Sequence, residues 1–144
     1  MKKANLKTIN ILLVLLLIPT ITSSIILEYL GGVDTRVLSN TRLILIHILL
    51  ATALMILSYR HIKLHFGPLR NWNTLICKTK QLNRLLLIAS AITLLTGIIA
   101  TAIYFLTGSH NIIGAIHGKI GYIAIFIMLL HLLQRRKWLR SMFD

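Results

Sequence analysis

Four apolar runs decide what this chain can fold into. They read roughly 9–30, 42–62, 84–106 and 112–133. Each is about the ~20 residues with which a helix crosses a hydrocarbon core about 30 Å thick. Together they consume most of the 144 residues, so the expectation is a single transmembrane domain over 1–144 with no room for an extramembrane one. Composition agrees, with 13% charged residues and only three acids, where soluble chains carry about a quarter charged residues.

The placement of charge orders the runs. Lys2, Lys3 and Lys7 precede the first. Arg60, Lys63, Arg70, Lys78, Lys80 and Arg84 lie between or at the edges of the second and third, and Arg135, Arg136, Lys137 and Arg140 follow the fourth. Only Arg36, Arg42 and Lys119 fall on the other side. The positive-inside rule then puts both termini and the long middle segment of a multi-pass membrane protein in the cytoplasm. The same placement argues against nucleic acid as the partner of a +13 chain; the partner it implies is membrane lipid. The first run continues past Pro19 to Leu30 without an A-x-A site, so it reads as an uncleaved helix rather than a signal peptide.

Pro19 is expected to kink that first helix or loosen a turn. Gly31 and Gly32 turn into a short outer loop, and Asn40 or Thr41 is the expected cap of the second span. Gly67-Pro68 stops the second helix, and the segment holding Trp72 suits the cytoplasmic membrane surface. The TGSHN loop is short and makes spans three and four antiparallel neighbours.

Histidines give the second and fourth runs their chemistry. His47 and His61 stand 14 residues apart, and so do His117 and His131. At ~100° per residue, 14 residues make roughly four turns less 40°, so both imidazoles of a helix leave by nearly one face. They lie roughly 21 Å apart along the axis by helix rise. The histidines recur 70 positions on, and Ser23-Ser24-Ile25-Ile26 recurs as Thr96-Gly97-Ile98-Ile99, 73 positions on. The fold class expected is therefore all-α: an integral membrane four-helix bundle, up-down-up-down, of two pseudo-repeated helical hairpins. In that topology spans two and four run parallel. His47 then meets His117 toward the outer surface, and His61 meets His131 toward the inner one.

Two facing imidazole pairs at two depths are places to hang two haems. A single histidine in a bundle is more often a structural hydrogen-bonding group. Four at matched depth are different, because ionisable residues within spans are rare and expensive. Zinc or copper would need further ligands, and Glu28 alone stands near. Cys77 is the single cysteine and there is no CxxCH, so any haem would be held by ligation and packing alone, as in a b-type cytochrome.

His65 competes with His61, since 18 residues from His47 make five full turns; its counterpart 70 positions on is Arg135, so the repeat selects His61. His110 is expected in solvent. Gly97 is a helix-packing glycine or lets the backbone lie against a porphyrin face, with Ser24 in the equivalent place. Arg42 and Lys119 at the outer level, and Arg60 and Arg135 at the inner one, are candidates for haem propionates or for ordinary interfacial snorkelling. Glu28 is expected to pair with Arg36 or Arg42.

The chain resembles the bacterial dihaem b-type cytochromes of the cytochrome b561 and hydrogenase cytochrome b subunit superfamily in its four spans and its histidine spacing. His61-Ile62-Lys63-Leu64-His65-Phe66 is similar to the H-x-x-x-H-aromatic ending found in the small flavinylation-associated group. The stretch from Ile116-His117 through Gly121-Tyr122 to Leu130-His131 resembles that group's last helix, and Thr96-Gly97-Ile98-Ile99 its third. The resemblance implies non-covalent haem b, bis-histidine ligation and one-electron transfer across or within the membrane. It also implies work beside a flavoprotein or reductase subunit. Phe66 replaces the tryptophan that often follows the second histidine of span two. No flavin or iron–sulfur module is fused, so the redox partner would be a separate protein or a quinone. Two other functions remain open at this point. One is an oxidoreductase acting on quinol or superoxide at an outer pocket of Glu28, Lys119 and His110; the other is a haem-free membrane scaffold.

Overall fold

A computed structural model describes residues 2–31, 37–66, 81–108 and 112–137. The protein is all-α over these residues. Helix α1 spans Lys2–Gly31, α2 Val37–Phe66, α3 Gln81–Thr107 and α4 Ile112–Gln134. All four are long and apolar enough to cross a membrane, over Leu6–Tyr29, Thr41–His65, Gln81–Thr107 and Ile112–Gln134. The multi-pass membrane class expected from the apolar runs therefore stands.

The chain divides into two compact units, Met1–Leu75 and Ile76–Asp144. Within the first, α1 packs on α2; within the second, α3 packs on α4. Both pairs are antiparallel. Residue 10 of α1 meets residue 61 of α2 while residue 23 meets residue 47. Residue 83 of α3 meets residue 131 of α4 while residue 96 meets residue 117. Each unit is thus a helical hairpin with the histidine helix second.

Little of either hairpin is buried. Among the described residues only Ile9, Leu17, Ala89 and Ser23 are buried, whereas large apolar side chains such as Leu49, Ile98 and Phe126 stand exposed along the helices. Such a surface belongs in lipid, where apolar exposure costs nothing. Helices associate there through close packing and interhelical hydrogen bonds, the latter worth about 0.6 kcal/mol each on average. The spans' hydroxyls are satisfied locally: Thr20, Thr22, Thr93, Thr96 and Thr107 each donate to the carbonyl four residues back, as hydroxyls in apolar helices do.

Helix α2 begins at Val37, so the cap expected at Asn40 or Thr41 is corrected: both lie inside the helix. The helix continues outward through them to Val37, since helical propagation is favourable once a nucleus exists. Helix α1 runs unbroken through Pro19 to Gly31. Helix α2 ends at Phe66, directly before Gly67-Pro68. Helix α3 ends in Gly108, whose φ of 67° is the left-handed conformation glycine adopts without Cβ strain; its N–H donates to the Tyr104 carbonyl at 2.8 Å. Gly32, Arg36, Pro68, Trp72, Cys77, His110 and Arg140 lie outside the described residues.

Candidate functional site

The four repeated histidines all reach across their own hairpin, and all do so through Nδ1. His61 Nδ1 stands 2.6 Å from Asn10 Oδ1, and His131 Nδ1 stands 3.1 Å from Asn83 Oδ1. His47 Nδ1 lies 2.9 Å from Ser23 Oγ. His117 Nδ1 lies 3.0 Å from the Thr93 carbonyl oxygen and 3.3 Å from Thr96 Oγ1. Asn10 and Asn83 are 73 positions apart, as are Ser23 and Thr96. The repeat therefore extends from the histidines to the groups that hold them.

These partners determine the tautomer. Carboxamide and backbone oxygens only accept, so the Nδ1–H of His61, His131 and His117 donates to them. The Ser23 hydroxyl gives its proton to the Thr20 carbonyl at 2.8 Å, which leaves Oγ to accept from His47 Nδ1–H. The Thr96 hydroxyl is likewise directed at the carbonyls of Ile92 and Thr93, at 2.9 and 3.1 Å. In each neutral ring the lone pair then belongs to Nε2, the nitrogen a metal would take. Among the described residues no group of three or more His, Cys, Asp or Glu is placed to hold a metal ion.

In the second hairpin one missing atom decides where the histidine ring sits. A Cβ on Gly97 would lie 2.8 Å from His117 Cε1 and 3.2 Å from Nδ1. The missing side chain thus makes room for the His117 ring, which settles against α3 and bonds the Thr93 backbone directly. At the equivalent place α1 carries Ser24, half-buried, and His47 Nδ1 bonds the Ser23 hydroxyl, which itself donates to the Thr20 carbonyl. Gly97 was expected to serve helix packing or a porphyrin face; its immediate neighbour is the imidazole itself.

His65 is exposed and lies against His61, with ring centroids 4.8 Å apart and planes tilted by 60°. The partner on α1 is reached by His61 in the same way that His131 reaches α3. Arg42, Arg60, Lys119 and Arg135 are all exposed. Arg60 adjoins His61, Arg135 lies one turn beyond His131, and Lys119 follows His117 by two residues. Glu28 is also exposed, and no ion pair joins it to Arg42 among the described residues. At the open end of the second hairpin a cleft of about 610 Å³ is lined by Asn83, Gln81, Gln134, Arg135, Leu82 and Leu85.

Asn10, Asn83 and Thr93 escaped the reading of the sequence. Part of their signal was present: Asn10 lies in an apolar run, where a carboxamide is costly without a partner, and the two asparagines share the 73-residue offset that Ser23 and Thr96 display. No family model, curated protein or solved structure matches the chain.

Proposed function

We propose that the protein is a dihaem b-type membrane cytochrome. Its role is to carry electrons across the bilayer between a quinone or a flavoprotein or reductase partner and an outer acceptor. The observation that carries this reading is the common Nδ1 anchoring of His47, His61, His117 and His131. An imidazole held by Nδ1–H is oriented and made more basic at Nε2, as metal-ligating histidines are. Four such rings, at two matched depths in two equivalent hairpins, exceed what helix packing alone requires.

The reading takes His47 and His117 as the ligands of one haem and His61 and His131 as those of the other, following the 70-residue repeat of the sequence. The basic asymmetry of the chain supports cytoplasmic termini in a bacterial inner membrane. Haem b, when bound, supplies a one-electron iron couple. The chain's contribution is to orient the imidazoles, to surround them with apolar helix that excludes water, and to place cations at the membrane edges. Arg60 and Arg135 at the inner level, and Arg42 and Lys119 at the outer, would be the exposed cations available to haem propionates. Among the inner histidines, the Asn10 bond favours His61 as the ligand, with His65 packed against it.

A reduced-minus-oxidised spectrum of the purified protein tests the reading. Sharp low-spin b-type bands are expected; their absence from protein purified with a full haem supply would leave the scaffold function instead. Quinol turnover without any added protein would favour the oxidoreductase over the conduit.

A further inference from the structure

We infer that Asn10 and Asn83 are the positioning residues of the His61–His131 level, each setting the tautomer and direction of one imidazole from a neighbouring helix. The inference deepens the cytochrome reading and rests on it for its redox consequence, though not for its tautomeric one. Asn10 lies on α1 and Asn83 in the first turn of α3, and each directs Oδ1 at one Nδ1. The two contacts occur at equivalent places in two hairpins whose helices repeat at offsets of 73 and 70 residues. Packing explains a polar residue that finds any partner. It does not explain why both carboxamides choose the same nitrogen of the corresponding histidine.

Chemistry gives the arrangement a purpose. An imidazole without an acceptor at Nδ1 interconverts between tautomers and rotates about χ2, so Nε2 is presented only part of the time. A carboxamide oxygen accepts the Nδ1 proton, holds the plane of the ring and raises the basicity of Nε2. The other level is anchored by a hydroxyl and a backbone carbonyl. A side-chain substitution there cannot remove the Thr93 acceptor. At the asparagine level both of these acceptors are side chains, so substitution reaches them in both hairpins.

The test uses the full chain, with and without haem, carrying Asn10→Leu, Asn83→Leu and Asn10→Asp. In haem-free protein with ¹⁵N-labelled histidine, His61 and His131 are expected to show a protonated Nδ1 in the wild type. Asn10→Leu should mix the tautomers of His61 and leave His131 unchanged, and Asn83→Leu should do the reverse. In the haem-loaded protein each leucine variant should lower haem affinity at one level by about 10- to 100-fold. Asn10→Asp should keep that haem and move its midpoint potential negative, because a carboxylate draws the Nδ1 proton more strongly. Unchanged tautomers in both leucine variants, or an unmoved potential in Asn10→Asp with haem bound, would overturn the inference. Tautomers that respond as expected in a wild-type chain unable to take up haem would uphold the positioning role and sink the cytochrome reading alone.

Discussion

Replacing Gly97 with alanine asks whether the His117 ring is held where the hairpin places it. The added Cβ would stand 2.8 Å from His117 Cε1, 3.2 Å from Nδ1 and 3.5 Å from Nε2. Carbon atoms pack best at about 3.5–4.0 Å, so the ring must retreat by roughly 1 Å. Gly97 is in mid-helix, where its backbone cannot yield alone. A retreat of that size carries Nδ1 from 3.0 Å to about 4 Å from the Thr93 oxygen, beyond hydrogen-bond range. The molecule either tolerates the crowding, at about 1–3 kcal/mol, or gives up a bond worth about 1 kcal/mol net. A cost of about 1–3 kcal/mol converts to a roughly 5- to 150-fold loss of haem affinity at the His117 level. The assay is haem titration of the purified variant, with the two levels separated by their potentials. The level of His61 and His131 should remain within about twofold of wild type, since it shares no ligand with the other. A Gly97→Ala protein that binds both haems with wild-type affinity would refute the reasoning, because the close approach of ring and backbone would then carry no weight.

Other perturbations separate the remaining parts of the account. His47→Ala or His117→Ala should remove one haem and largely spare the other, measured as haem per chain; haem content untouched by either change would exclude that pair. His61→Ala should abolish the low-spin signal of the inner haem in electron paramagnetic resonance. His65→Ala should preserve that signal with a shifted potential, and the opposite pattern would assign the ligand to His65. A C-terminal reporter should be active in the cytoplasm, and activity confined to the periplasm would invert the two levels. Gly108→Ala should destabilise the second hairpin by about 1–2 kcal/mol through its left-handed φ, read as a lowered midpoint of thermal unfolding in detergent.

The helices were legible because a membrane allows so few solutions. Apolar length fixed their number, and their bounds fell within a few residues of the runs read from hydropathy. The start of α2 was misplaced because Asn40 and Thr41 resemble caps, yet Val37 and Leu38 continue the helix outward. The site was half legible. Histidines announce themselves by chemistry and by their 14-residue spacing. The groups that hold them do not, since Asn10 and Asn83 are polar residues that take meaning only from what lies opposite on another helix. The offsets explain the difficulty: the histidine helices repeat at 70 residues and their partners at 73, so a search at one period finds only half of each pair. Gly97 illustrates the same limit. A glycine in an apolar helix predicts a close approach, but only the packing of α3 on α4 reveals that the approaching group is the His117 ring.

The central claim is that one chain supplies ligands for two haems, and haem-to-protein stoichiometry tests it most directly. The measurement is an alkaline pyridine spectrum for haem, set against quantitative amino-acid analysis for protein, on full-length material produced with excess haem. The account predicts two haem b per chain, both extracted by acid acetone because none is covalently attached. A value of one would mean that a level built by the repeat does not bind haem, and a value of zero would contradict the claim outright.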